Sequence, residues 1–194
     1  MSKKDGTSTK SRIVQAAWDL FYEQGYNDTT IDDIVEKSET SKGSFYHYFE
    51  SKDSLLSSLS YIFDQKYEEL EATIDPNTNS FEKLIIFNRE LFLMVENRIP
   101  IELLTRLLST QLTTIGRRHL LDHNRLYFRL LRKTVIEGQK KNEICSDVSA
   151  NEIVKAYAML ERSLMYDWCL CNGEYSLYKY SGQILPSFLS CYKI

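Results

Sequence analysis

Proline and glycine are scarce in this sequence, three and seven among 194 residues. A protein built of many short strands draws on both for its turns, so their scarcity argues against a sheet-rich fold. No apolar run approaches the roughly 20 residues that a membrane-spanning helix needs. The opening MSKKDGTSTKSR holds no apolar stretch that would serve as a signal peptide. The expectation is a cytoplasmic protein with no membrane segment. Cysteine is sparse too, with Cys145, Cys169, Cys171 and Cys191 on predicted helices or their ends. Cys169 and Cys171 form C-x-C, which on a helix turns the two thiols to nearly opposite sides. Buried or idle reduced thiols are the better reading, and no metal site is expected. An excess of one charge is also missing: 24 Lys and Arg stand against 27 Asp and Glu, a net charge of −3. Residues 1–55 alone hold seven basic and ten acidic side chains. Any contact with a polyanion must then come from local arrangement, not from bulk charge.

What is present points to helices. Hydrophobic content of 43% and charged content of 26% are ordinary for a globular chain. The length suits one good-sized core or two small domains. Apolar residues recur three and four apart through long stretches without punctuation, which predicts an all-α fold. The first helix is expected over residues 10–24, with Ile13, Ala17, Leu20, Phe21 and Gln24 on one side and Val14 and Trp18 widening the stripe. Gly25 stands where a helix ends in a left-handed residue. Thr29 or Thr30 caps the next helix, and Asp32 and Asp33 sit in its first turn, where the helix dipole favours negative charge. Ser38, Glu39 and Thr40 make a turn, and Ser41 caps a second short helix that runs to about residue 48. Ser51 caps a longer one over residues 52–73, which Asp75-Pro76-Asn77 breaks. Further helices are predicted over 80–97, 100–114, 117–140, 149–170 and 176–192, nine in all.

The stretch from Thr29 to Leu56, TTIDDIVEKSETSKGSFYHYFESKDSLL, is the most informative. Ile31, Ile34, Val35, Phe45, Tyr48 and Phe49 have the spacing to pack two crossing helices against the first. Lys42, Gly43, Ser44, Tyr46 and His47 are then left facing outward, at and just after a helix start. A short helix entering a major groove end-on presents such residues to phosphates and base edges. Lys52, in the first turn of the following helix, adds a positive charge, and the N-terminal arm with Lys3 and Lys4 extends the local field.

These pieces resemble the N-terminal domain of TetR-family transcriptional regulators over residues 10–56. The resemblance lies in IVQAAWDLFYEQGYNDTT, the turn, SKGSFYHYF and the restart ESKDSLL. It implies that Thr30, Lys42, Gly43, Ser44, Tyr46 and His47 face a DNA major groove and its flanking phosphates, and that Lys52 contacts a phosphate. It also implies a helix-turn-helix domain over residues 1–52 and an effector-binding and dimerisation domain over 53–194. The function so implied is a ligand-responsive repressor that binds a near-palindromic double-stranded operator as a homodimer and is released by a small-molecule effector. The alternative is a small-molecule-binding helical protein with a non-functional DNA-binding head. Three positions depart from the family pattern. Glu39 stands where glycine is usual, and a left-handed backbone there would cost a side-chain residue roughly 1 kcal/mol. Thr40 replaces a small apolar residue, and Asp32 replaces a base-reading one.

In the second domain, the predicted helix over 149–170 is apolar on two sides. Ile153, Tyr157, Leu160, Leu164 and Trp168 line one stripe; Ala156, Met159, Ser163, Tyr166 and Leu170 line the other. Such a helix is either a central core helix or one that meets the core on one side and a partner chain on the other. The first stripe is assigned to the partner, and family analogy pairs the last two helices of each chain in a four-helix bundle. Aromatic residues are plentiful, and Tyr61, Tyr67, Phe87, Tyr127, Met159 and Tyr166 are the expected walls of an effector cavity, whose ring faces would suit an aromatic or cationic ligand. Eight Lys and Arg between Arg117 and Lys141 read as a solvated face. His119 and His123 look inert. No Ser/His/Asp or Cys/His grouping, phosphate loop or carboxylate pair appears, so neither catalysis nor a cofactor is expected.

Overall fold

The computed structural model describes residues 8–113 and 118–194. Among them nine α-helices carry the chain and no strand forms: α1 (Thr9–Glu23), α2 (Ile31–Lys37), α3 (Lys42–Tyr48), α4 (Leu59–Thr73), α5 (Ser80–Arg98), α6 (Ile101–Thr113), α7 (Leu126–Lys140), α8 (Ala150–Leu170) and α9 (Leu177–Leu189). They divide into two compact units, Met1–Leu59 and Ser60–Ile194. None of the described helices is long and apolar enough to cross a membrane.

In the first unit, Ile13, Ala17 and Phe21 of α1 are buried with Ile34 of α2 and with Phe45 and Phe49. The 3-10 segment Asp53–Ser58 adds Leu55 and Leu56 to this core. The Trp18 indole N–H donates to Ser58 Oγ at 2.8 Å, so the one polar edge of a buried ring is satisfied. Tyr48, expected in the core, is exposed. With only seven residues, α3 leaves helical geometry at Phe49 (φ −138, ψ 127), so Phe45 and Phe49 fill the inner side. Tyr48 turns outward and meets His47 edge-on, ring centroids 4.8 Å apart.

Two predicted helices are interrupted. The 52–73 helix begins as the 3-10 segment and becomes α-helical only at Leu59. The Ser54 hydroxyl donates to the Ser51 carbonyl at 2.6 Å and Ser58 does the same to Leu55, side-chain bonds that compete with helical pairing. The 117–140 helix is a short 3-10 turn at His119–Leu121, a break at Asp122, and then α7. There the Asp122 carboxylate accepts the Asn124 amide at 3.1 Å in a turn of its own.

In the second unit, α5, α7, α8 and α9 pack around Phe87, Phe92, Leu131, Val135, Ile153 and Leu185, all buried. Gly138 of α7 lies against the start of α5. A Cβ there would come within 2.8 Å of Ser80 Cβ and 2.7 Å of Ile144 Cδ1, so the approach itself demands glycine. Helices α2, α7 and α8 end in left-handed residues that are not glycine: Glu39 (φ 51), Asn142 (φ 56) and Asn172 (φ 49). After α8, the Gly173 amide reaches back to the Trp168 carbonyl at 3.0 Å and the Asn172 amide to Cys169 at 3.1 Å, the paired bonds of a Schellman end.

Candidate nucleic-acid interface

The turn between α2 and α3 fixes the direction of the outward face. Thr30 opens α2 with a capping box: its hydroxyl accepts the Asp33 amide at 3.1 Å, and Asp33 accepts the Thr30 amide at 2.8 Å. Those bonds, backbone first, hold the Asp33 carboxyl below the usual carboxylate range. At the other end, the Thr40 amide reaches the Val35 carbonyl and the Glu39 amide reaches Glu36, each at 3.0 Å. This is a second Schellman end, with Glu39 in the left-handed position where the family pattern has glycine. The Arg12 guanidinium donates to the Ser38 carbonyl at 3.2 Å, tying the turn to α1, and the Ser38 and Thr40 hydroxyls meet at 2.8 Å. Thr40 thus gains a polar partner within the turn.

From this turn α3 projects Lys42, Gly43, Tyr46 and His47 into solvent, with Ser44 half-buried beside them. Thr30 is exposed as well. Tyr46 keeps 55% of its surface exposed while its ring rests edge-on against Phe45, centroids 5.4 Å apart. A large aromatic presented this way has little to gain from its own unit. A Cβ on Gly43 would meet only Ser41 Oγ, at an ordinary 3.7 Å, so nothing inside the unit calls for glycine there. Ser41 caps α3 through the Ser44 amide at 3.1 Å, and the two hydroxyls lie 3.0 Å apart. Lys42 pairs with Asp32 at 2.7 Å, both side chains well exposed. That hydrogen bond raises the Lys42 pKa, and an exposed pair of this kind exchanges readily for another anion. Lys3 and Lys4 lie outside the described residues.

Lys52 does not join this face as a free charge. Its ammonium donates to the Tyr26 carbonyl at 2.6 Å and the Thr29 carbonyl at 2.7 Å, and sits 4.3 Å from the centroid of the Tyr26 ring. The Tyr26 hydroxyl in turn bonds the neighbouring Asp53 carboxylate. Lys52 and Asp53 therefore clamp the α1–α2 loop to the start of the 3-10 segment, and the expectation of a lysine presented to phosphate gives way to an inward-turned one. Sequence reading could not foresee this, because the acceptors are backbone carbonyls and leave no mark in residue type.

Residues 13–59 match the family described as "Bacterial regulatory proteins, tetR family". Residues 13–59 thus form a domain of the TetR N-terminal family. The curated relatives agree. Over 95 residues the chain is 37% identical to the HTH-type transcriptional regulator QacR of Staphylococcus aureus, covering 48% of this chain and 50% of that one. Over 102 residues it is 35% identical to the transposon Tn10 TetC protein of Escherichia coli, 49% and 50% of the two chains. The chain thus spans about half the length of the curated relatives it matches. Along nearly its whole length it shares a fold with FadR of Thermus thermophilus, solved in complex with lauroyl-CoA (TM-score 0.74, 20% identity, 92% and 93% covered). FadR of Bacillus halodurans is similar (TM-score 0.69, 20% identity, 96% of each chain).

In the second unit the remaining candidates fall differently from the sequence reading. Tyr67, Phe87 and Tyr127 do come together: the Tyr67 ring lies 5.9 Å from Phe87 and 5.1 Å from Tyr127, all three buried. Tyr61 is 63% exposed and lies apart from them, and Met159 and Tyr166 sit on the outer side of α8. The stripe assigned to a partner chain is corrected: Ile153, Tyr157, Leu164 and Trp168 are buried and Leu160 half-buried within their own unit. It is the other stripe, with Met159, Ser163, Tyr166 and Leu170, that is exposed. Within the basic run, Arg125 pairs with Asp64 at 2.9 Å and Lys133 with Glu71 at 2.8 Å, and Arg117 lies outside the described residues.

One residue escaped the sequence reading altogether. Glu161 occupies the middle of the buried stripe of α8, 2% exposed. Asn88 Nδ2 donates to its Oε1 at 2.9 Å, and the Tyr127 hydroxyl donates to its Oε2 at 2.7 Å. Burial pushes its carboxyl pKa up. The signal was present: an acidic residue four after Tyr157 and three before Leu164 interrupts an otherwise apolar stripe, as Asn88 interrupts that of α5.

Proposed function

We propose that the chain is a ligand-responsive transcriptional regulator, a repressor that binds a near-palindromic operator as a homodimer, is released by a small-molecule effector, and catalyses no reaction. The observation that carries this reading is the outward face of α3. Lys42, Gly43, Tyr46 and His47 stay exposed to solvent, and the turn that aims them is fixed by two backbone bonds and Arg12. Base contact would rest on Tyr46 and His47, and phosphate contact on Lys42, Ser44 and the exposed Thr30. Lys42 exchanges Asp32 for phosphate at little cost, because both partners are already in water. The relatives named as HTH-type regulators support the same reading.

A second copy is placed on the exposed stripe of α8. Met159, Tyr166 and Leu170 are 52%, 49% and 68% exposed along it, and a contiguous apolar face of this kind suits a protein partner. Two heads then meet two half-sites. An effector in the second unit shifts the DNA affinity only through its different affinities for the two head spacings. The test is selection of fragments from a random duplex pool by the purified protein, followed by titration of the selected duplex. Tyr46→Ala should weaken binding by about 1–3 kcal/mol, and affinity should fall steeply with salt. Tyr166→Glu together with Leu170→Glu should convert the dimer to a monomer in sedimentation. A duplex affinity that is absent, or indifferent to both salt and Tyr46→Ala, would overturn the proposal in favour of a binding protein with an idle head.

A further inference from the structure

The four cysteines are expected to be idle, and the fold treats them unequally. Cys169 and Cys171 stay half-buried at the end of α8, where burial pushes the Cys169 thiol pKa up. Cys145 and Cys191, far apart in the chain, are brought to one place. Among the described residues the one β-pairing joins the loop between α7 and α8 to the residues after α9. Ile144 faces Lys193 in an antiparallel bridge, and the Cys145 amide donates to the Tyr192 carbonyl at 2.8 Å. Cys145 therefore faces Tyr192, and Cys191 is its neighbour in the chain.

The two sides of this pairing differ in firmness. On one side Gln139 Nε2 donates to the Cys145 and Val148 carbonyls, each at 2.9 Å, and Ile144 is buried beside Gly138. The half-buried Cys145 thiol thus sits on a fixed loop. On the other side Cys191 belongs to the single 3-10 turn Ser190–Tyr192, none of whose residues is buried. Cys191 is exposed where the other three cysteines are half-buried. Its thiol donates to the Phe188 carbonyl at 3.0 Å, a weak bond that a reagent displaces at little cost. The Tyr192 hydroxyl stands close to both sulfurs: burial, and after it the Cys191 and Cys145 thiols, push its pKa up. A disulfide spans roughly 4.4–6.8 Å between Cα atoms. Facing residues of paired segments stand about 4.5–5.5 Å apart, so the bond needs only a small shift of the unburied turn.

We propose that Cys145 and Cys191 are a reactive dithiol that a peroxide converts to an intrachain disulfide, clipping the end of α9 to the loop that leads into α8. The exposed Cys191 thiol meets the oxidant first. Its sulfur attacks one peroxide oxygen, the O–O bond breaks, and Cys191 becomes a sulfenic acid as the other oxygen leaves in water. The Cys145 sulfur then attacks the Cys191 sulfur. The S–S bond forms, the S–O bond breaks, and hydroxide leaves with the Cys145 proton as a second water. The dithiol has given up two electrons and two protons, and the peroxide has taken them. An exposed disulfide is of the readily reduced kind, so an external dithiol reverses the step. The clip lies within the second unit and asks nothing of the outward face of α3.

The reduced full chain, treated with hydrogen peroxide, quenched with an alkylating agent and mapped by mass spectrometry, tests this. The expected product is a peptide pair joined through Cys145 and Cys191, with Cys169 and Cys171 still alkylated and all four thiols recovered in dithiothreitol. The bond closes a long loop, so the oxidised chain should melt several degrees above the reduced one. Cys145→Ser should halt Cys191 at the sulfenic acid, trapped by dimedone, and Cys191→Ser should leave the Cys145 thiol unoxidised; both should lose the rise in melting temperature. The double variant Cys169→Ser, Cys171→Ser should respond as the wild type does. Retention of all four thiols, a bond through Cys169 or Cys171, or Cys191 joined to Cys191 of another chain would each overturn the inference. So would a Cys145–Cys191 bond that leaves the melting temperature unchanged or lowers it, since the sulfurs would then meet only after the turn has come away from the loop.

Discussion

Replacing Lys52 with methionine removes an ammonium that two carbonyls hold at 2.6 and 2.7 Å and that lies over the Tyr26 ring. Bonds to charged groups contribute roughly 1.5–3 kcal/mol each where water is excluded. The loop here is only partly buried, so the freed carbonyls rehydrate and the loss sits near the low end. A ring contact of this kind adds about 0.5–1 kcal/mol. Release of the ordered lysine side chain returns up to about 2 kcal/mol. The net loss should be about 1–3 kcal/mol, confined to the first unit. For a unit of this size each kcal/mol lowers the melting temperature by roughly 4–8 °C. Trp18 lies in the first unit and Trp168 in the second, so urea unfolding followed by fluorescence in a Trp168→Phe background reports the first unit alone. The same variant is then titrated with the selected duplex across salt concentrations. A lysine that contacts phosphate contributes about 0.9 to the salt slope, whereas a clamp contributes nothing. The expected pair of results is lowered stability with an unchanged slope. Unchanged stability with a slope reduced by about 0.9 would refute the clamp and restore the phosphate contact implied by the family resemblance.

Three further outcomes follow from the structure. Glu39→Gly should stabilise the first unit by up to about 1 kcal/mol, because the left-handed position penalises a Cβ while glycine's freer unfolded chain offsets part of the gain; a lower urea midpoint would contradict it. Gly138→Ala should destabilise the second unit although alanine is the better helix former by about 1 kcal/mol, since the new Cβ has nowhere to go between Ser80 and Ile144; a rise in melting temperature would show that α5 and α7 can move apart. Glu143 accepts the Ser80 amide at 2.7 Å, and that bond holds its carboxyl below the usual glutamate range. A depressed folded pKa stabilises above the unfolded value and is lost as pH falls through the folded one. Wild type should therefore exceed Glu143→Ala in stability at pH 7, with the gap narrowing as the carboxyl protonates in acid, read by urea midpoints at both ends; a gap that widens in acid would reverse the sign.

Much of the first unit could be read in the chain because its signals are local. Thr30 and Ser41 announce the starts of α2 and α3, Gly25 ends α1, and the polar side chains of residues 42–47 stand out against Phe45. Tyr48 could not be placed, because in a helix of two turns the outcome turns on where the backbone leaves helical geometry. The serine-rich restart at 51–60 looked like one helix because hydroxyl-to-carbonyl bonds compete with helical ones at no cost to the apolar pattern. In α8 periodicity identified two apolar stripes but had no means to rank them, since both suit burial equally well. What separates them is the distribution of the other helices, which is long-range information. Glu161 was legible and overlooked: a charge inside an apolar stripe is the departure that most rewards a question.

The Schellman end of α8 also bears on how the protein ages. Asn172 and Gly173 form an Asn–Gly pair, the sequence most prone to deamidation, in which the glycine amide nitrogen attacks the asparagine side-chain carbonyl to close a succinimide. Here that nitrogen is engaged in its bond to the Trp168 carbonyl, and the left-handed turn holds both residues in place. Attack must wait for the end of α8 to open, so chemical damage at this site follows local unfolding. The slow appearance of isoaspartate at position 172 would then keep time on the fraying of the helix that carries Glu161.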